Sequence, residues 1–213
     1  MLASRKRYAK EIFQDLPSLQ LKRLNLSDTM FVPDPSFLGR LRGLEELWLD
    51  RCAWLSDLSS IGLLTELRFL SLTECLSFAD LTPLVGLKRL KLLSLSGCEG
   101  VRDSKLLPFL PSLERLYMGQ TLLREFRPSA PLPELRLLDL SHSRELSLIS
   151  LQSFPKLTKV LLSGCPALED LTALKELPSL SHVYVVGCHR LNQESKALLE
   201  KWETSGVVRV SRN

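Results

Sequence analysis

The sequence predicts an α/β solenoid, with parallel strands stacked on one face and short helices or 3₁₀ turns on the other. Three observations predict it. The spelling Leu-x-Leu-x-x-(Cys/Thr/Ser) recurs eight times, its first apolar residue being Leu24, Leu47, Leu70, Leu93, Leu116, Leu138, Val160 and Val183. The steps between these residues are 23, 23, 23, 23, 22, 22 and 23. All five cysteines, Cys52, Cys75, Cys98, Cys165 and Cys188, fall at one repeat position, where the other coils carry Thr29, Thr121 and Ser143. An aspartate follows five residues later in five coils: Asp34, Asp57, Asp80, Asp103 and Asp170. A fixed period of this size marks a repeat architecture, in which each coil buries its apolar side against its neighbours.

The cysteine position lies three residues past the second apolar strand residue, where the chain turns out of the strand. The side chain there points inward and must be small. Thr and Ser are suited to meeting a backbone group of the next coil, and a thiol does so weakly but tolerates burial. Rungs about 4.7–4.9 Å apart lie within disulfide reach. The odd count, the run of three equivalent rungs and the exchange with Thr and Ser argue instead for packing and free thiols. That fits a reducing compartment. No Cys-x-x-Cys or zinc-type spacing exists, so no metal is expected.

Each recurrent aspartate precedes an apolar residue four further on: Leu38, Ile61, Leu84, Leu107 and Leu174. Asp accepts hydrogen bonds from the free amides at a helix start and suits the helix dipole. The aspartates stand one per coil, so they do not converge as a metal site requires. Returns to the next strand use Leu110-Pro111, Leu132-Pro133, Phe154-Pro155 and Leu177-Pro178, where proline ends the turn and sets an extended approach. Pairs such as Leu41/Leu44 and Leu64/Leu67 then fill the interior. Coils five and six each lose a residue, and Phe126 and Leu148 replace the aspartate. The outer side there is expected to be irregular and extended.

Residues 1–15 are read as an N-terminal capping helix, 16–190 as the repeats, and 191–213 as a C-terminal cap, all in one structural domain. The cap should contain a helix over 194–202 and a ninth, edge strand over 207–210. Caps with a polar outer side keep a solenoid soluble. No run approaches the 18 apolar residues of a membrane span. The basic start, Arg5, Lys6, Arg7 and Lys10, has no apolar core behind it, which argues against a secretory signal. Its lack of acids is similar to a mitochondrial presequence; the competing reading is a basic cap helix. The net charge of +4 is mild, and both signs interleave, unlike the basic stripe of a nucleic-acid binder.

The stretch Leu41-Arg42-Gly43-Leu44-Glu45-Glu46-Leu47-Trp48-Leu49-Asp50-Arg51-Cys52 resembles the leucine-rich repeat family. The resemblance runs over about residues 16–206. The ending Asp57-Leu58-Ser59-Ser60-Ile61 is similar to the short 22–23-residue class with internalin-like and phosphatase-regulator-like repeats. The family often has Asn at the ladder position, where this chain has Cys, Thr or Ser. Cysteine there is also similar to the longer repeats of F-box proteins, but no F-box precedes these. The resemblance implies a right-handed solenoid of about eight coils, a parallel β-sheet on its concave face, and protein binding there.

Alternation along a strand puts Leu47 and Leu49 inward and Glu46, Trp48 and Asp50 outward. Stacked equivalents give columns across the concave face. The protein-binding residues expected there are Arg23, Glu46, Trp48, Asp50, Phe69, Leu92, Arg115, Tyr117, Leu137, Asp139, Leu161, His182 and Tyr184. Seven apolar or aromatic members on adjoining rungs would be exposed together, as at interaction sites. An enzyme needs a positioned nucleophile or acid–base pair in a cleft. His142, His182 and His189 are not joined to such a set, and no phosphate loop exists. The expectation is a non-catalytic module with a protein partner, no cofactor, no membrane and no small-molecule substrate. Nucleic acid is a secondary partner class, as in a ribonucleoprotein assembly, and a ubiquitin-ligase adaptor is a third reading. The expected location is intracellular, cytoplasmic in the first instance, with mitochondria as the alternative.

Overall fold

The computed structural model describes residues 15–148, 151, 154–206 and 208–211. Among these, nine three-residue strands form one parallel sheet in chain order. They are β1 (Arg23–Asn25), β2 (Glu46–Trp48), β3 (Phe69–Ser71), β4 (Leu92–Ser94), β5 (Arg115–Tyr117), β6 (Leu137–Asp139), β7 (Lys159–Leu161), β8 (His182–Tyr184) and β9 (Arg209–Ser211). The register pairs repeat equivalents: Leu24 with Leu47, Leu47 with Leu70, and so on to Val183 with Val210. One sequence period is therefore one rung. The ladder runs past the formal strand ends, with Leu49 N–H donating to Ser71 O at 2.9 Å and Arg51 N–H to Thr73 O at 2.8 Å.

The two apolar residues of each inner coil are buried, and with the return leucines they form one continuous core. Each buried leucine contributes roughly 1.5–3 kcal/mol relative to exposure, so a coil is stable only with its neighbours in place. The thiols are buried too. Their bonds run backwards rather than to the next coil: Cys75 Sγ donates to Leu49 O, Cys98 to Leu72 O and Cys188 to Leu162 O, each at 3.0 Å. The reason is the turn, which carries the side chain under the preceding rung. Thr121 bonds within its own coil, Oγ1 to Met118 O at 2.8 Å.

The outer face carries 3₁₀ turns Pro35–Arg40, Thr82–Gly86, Ser104–Leu106 and Thr172–Glu176, and one short helix, α1 (Ser59–Gly62). Asp34 and Asp103 are the N-caps of their segments, while Asp57, Asp80 and Asp170 stand one residue before the capping Leu58, Leu81 and Leu171. Each aspartate accepts the amide two residues on: Ser36, Ser59, Thr82, Lys105 and Thr172, at 2.7 to 3.1 Å. Between β5 and β7 no described residue is helical; Glu125 and Ser147 form a parallel bridge instead. Phe126 turns into the core against Phe154, with ring centroids 5.7 Å apart. Ser104 of the preceding coil stands in for the missing aspartate, accepting from Arg127 N at 2.7 Å and donating to Glu125 O at 3.2 Å.

The expected N-terminal helix falls outside the described residues. At the other end α2 (Gln193–Ser205) is longer than expected, because Asn192 caps it through Ser195 N at 2.8 Å and it ends at Gly206, φ 65°. Leu198 and Leu199 are buried beneath α2, Trp202 packs on the core, and β9 closes the sheet on β8.

Candidate protein-binding face

The register sets the expected concave columns side by side. One runs Arg23, Glu46, Phe69, Leu92, Arg115, Leu137, Lys159, His182 and Arg209, the other Asn25, Trp48, Ser71, Ser94, Tyr117, Asp139, Leu161, Tyr184 and Ser211. Arg23 and Arg115 are exposed. Glu46, Trp48, Asp50, Phe69, Leu92, Tyr117, Leu137, Asp139, Leu161, His182 and Tyr184 are half-buried. The apolar strip is thus less open than alternation implies. Rungs about 4.8 Å apart let large side chains lean on one another. Trp48 lies against Phe69, centroids 4.7 Å apart and planes at 41°, and Lys159 Nζ sits 4.7 Å from the Tyr184 ring centre. None of these residues is sealed, and none is far from the next.

Asp50 is the polar hub of the first rungs. Its carboxylate accepts from Ser71 Oγ and from Thr73 N at 2.9 Å, and Ser27 Oγ accepts from Asp50 N at 3.1 Å. Thr73 and Ser94 hydroxyls meet at 2.9 Å, extending the ribbon to β4. On β6, Asp139 Oδ1 accepts from Ser141 N at 2.9 Å. Ion pairs line the edge where the strands begin: Lys22–Glu45 at 2.8 Å, Arg23–Glu46 at 3.1 Å, Arg68–Glu45 at 3.8 Å and Lys91–Glu114 at 2.8 Å. Lys22 and Lys91 hold the Glu45 and Glu114 carboxyls below their ordinary range through these hydrogen bonds.

Sequence reasoning missed a second column. The residue before each ladder position has a left-handed backbone: Asp28, Arg51, Glu74, Gly97, Gln120, His142, Gly164 and Gly187, with φ between 57° and 75°. These are third residues of turns closed by bonds such as Cys75 N to Leu72 O at 3.1 Å, the geometry of a type II turn. The signal was present as Gly97-Cys98, Gly164-Cys165 and Gly187-Cys188. Non-glycine residues in the other five coils masked it. Arg51, Glu74, Gln120 and His142 of this column line a rim groove of about 1010 Å³ that also holds Leu122 and Arg144. Smaller cavities of about 440 and 360 Å³ lie beside Trp202 and between Arg102 and Arg144. No strip residue lines any of these three cavities. The large apolar residues with the greatest exposure also lie elsewhere, among them Met30 and Phe31 in the first coil and Leu63, Val85 and Phe109 on the outer face.

Burial raises the thiols, Cys75 to about 11 and Cys98 and Cys165 to about 12, so these sulfurs are poor nucleophiles. Among the described residues no group of three His, Cys, Asp or Glu could hold a metal, and no helix is long and apolar enough to cross a membrane.

No family model matches the sequence, and no curated protein matches it. Solved structures do. Internalin InlF of Listeria monocytogenes aligns with 93% of this chain and 62% of its own, at 21% identity and TM-score 0.60. The leucine-rich repeat domain of the type III effector XopL aligns with 85% and 65%, at 20% identity and TM-score 0.66. Internalin C2 of Listeria monocytogenes aligns with 82% and 84%, at 22% identity and TM-score 0.56. The chain thus spans less than two thirds of the length of the first two. These alignments, with the nine-stranded parallel sheet of this chain, give it the leucine-rich repeat fold.

Proposed function

We propose that this chain is a non-catalytic protein-interaction module, an adaptor, regulatory or assembly subunit, and that its partner sits on the concave sheet. One observation carries the reading. The register gathers Trp48, Phe69, Leu92, Tyr117, Leu137, Leu161 and Tyr184 onto adjoining rungs, part-exposed and flanked by charge. Contiguous apolar surface on a regular sheet is the usual mark of a docking face, and Trp, Tyr and Arg dominate binding hot spots. The strip forms a broad surface rather than a pocket, which suits a macromolecule better than a small ligand. Catalysis is disfavoured by the thiols, which are buried and protonated. The reducing, intracellular setting proposed for the chain rests on the same buried thiols.

Affinity capture from the native source tests the reading, comparing wild type with a Trp48→Ala/Tyr117→Ala variant. Loss of one specific protein partner from the variant is expected. Undiminished capture by the variant contradicts it, as does a captured partner that is RNA and is released steeply by salt.

A further inference from the structure

The charge on the concave sheet and its entering edge changes along the solenoid. From β1 to β3, Lys22, Arg23 and Arg68 face Glu45, Glu46 and Asp50, three cations against three acids. Each of those cations has a carboxylate within 4 Å. From β4 to β9, Lys91, Arg115, Arg136, Lys159 and Arg209 face Glu114 and Asp139, five cations against two acids. Glu114 is taken by Lys91 at 2.8 Å, though Arg136 and Arg115 also lower its carboxyl. Asp139 is occupied by the Ser141 amide. Among the described residues, Arg115, Arg136, Lys159 and Arg209 have no carboxylate within 4 Å, and Lys159 rests on the Tyr184 ring instead. Along these columns the ion pairing that neutralises the first rungs stops at β5; the next pair, Lys156–Glu134 at 2.6 Å, lies outside them in the loops that approach β6 and β7.

We propose that this second half of the concave face, from β5 to β9, binds an acidic segment of a partner protein whose acids are interleaved with apolar side chains. The inference rests on the concave face being the docking face. Four cations with no carboxylate within 4 Å supply the complement to an acidic segment, and complementary potentials set encounter rate and register. Tyr117, Leu137, Leu161 and Tyr184 lie between those cations and supply the apolar contact. A nucleic acid would also meet the charge, but it needs flat rings for base stacking. Here Leu137 and Leu161 are aliphatic, and one face of Tyr184 is covered by Lys159. A protein segment uses all of these groups.

Binding of fluorescent glutamate–tyrosine copolymer, polyglutamate, lysine–tyrosine copolymer and mixed-sequence single-stranded RNA tests it at physiological salt. The glutamate–tyrosine copolymer should bind tightest, ahead of polyglutamate, and the lysine–tyrosine copolymer should not bind. Arg115→Glu/Lys159→Glu should weaken the glutamate–tyrosine copolymer about tenfold or more, because like charges then oppose it. Arg136→Glu, at an exposed site, repeats the test if the double variant unfolds. Arg68→Glu, in the neutral half, should leave binding within about twofold, given how little exposed pairs contribute. Tighter binding of RNA, or equal binding of the copolymer by wild type, Arg115→Glu/Lys159→Glu and Arg136→Glu, overturns the proposal. If native partner capture still depends on Trp48 and Tyr117 while the copolymer ignores the cations, the acidic segment is wrong and the docking face survives.

Discussion

Gly164→Ala isolates the part of the fold that repeat spelling hides. Gly164 has φ 70° and lies under the imidazole of His142 in the preceding coil, where a Cβ would come 2.7 Å from Cε1. Two costs follow. A side chain in the left-handed region costs about 1–2 kcal/mol, less the ~0.4–1 kcal/mol that alanine returns by restricting the unfolded chain. Displacing the exposed imidazole from its rotamer adds about 0.5–1.5 kcal/mol. Together these come to about 0.5–3 kcal/mol. Gly187→Ala supplies the backbone cost alone, because its Cβ would meet nothing closer than Gly164 at 3.7 Å; it should lose about 1 kcal/mol. In a His142→Ala background, Gly164→Ala should fall to the Gly187→Ala value, leaving a coupling of about 0.5–1.5 kcal/mol. Urea unfolding followed by tryptophan fluorescence, with a common slope, measures all four variants. Equal costs at Gly164 and Gly187, or a Gly164 cost unchanged without the imidazole, would refute the stacked-turn account.

Other outcomes follow from the same structure. The thiols should resist alkylation at pH 8 in the native state and react only as the chain unfolds, read by mass spectrometry. Their folded pKa values lie above the ordinary 9.0, with Cys98 pushed up to about 12 by burial, so the unfolded chain ionises first. Stability is full below about pH 9 and declines as pH rises toward 12, which denaturant titrations across that window will show. Asp103→Ala removes the acceptor for the Lys105 amide and should cost about 1 kcal/mol in the same unfolding assay. Asp170 is held low chiefly by the Thr172 amide, so its contribution is present above pH 3.8 and lost below it. Tyr117→Ala should weaken native-partner binding by about 2 kcal/mol or more with little change in thermal stability. Trp48→Ala should do the same while also losing up to ~1.5 kcal/mol of stability from the Phe69 contact.

Strand register was legible because period fixes it: once Leu47, Leu70 and Leu93 are equivalent, every column follows. The ladder thiols and the capping aspartates were legible for the same reason, each being one chemical need repeated per coil. Three things were not. The left-handed column was hidden because turns tolerate Asp, Arg, Glu, Gln and His at a strain of only about 1–2 kcal/mol. The half-burial of Trp48 and Tyr184 depends on neighbours one rung away, Phe69 and Lys159, whose rotamers no sequence pattern states. Ser104 as the acceptor for the Arg127 amide was hidden because its partner lies a whole coil further along. The candidate face itself was readable as a set of columns, but the break in ion pairing at β5 emerged only with side chains in place.

Photo-crosslinking most directly tests the central claim that the partner lies on the concave strip. A photoreactive residue replaces Tyr117 on β5 in one variant and Phe109 on the outer face, where exposure is 41%, in the other. Cross-links to the native partner from position 117 and none from position 109 are the predicted result. Cross-links from 109 alone would place the partner on the outer row of Leu63, Val85 and Phe109 and contradict the account.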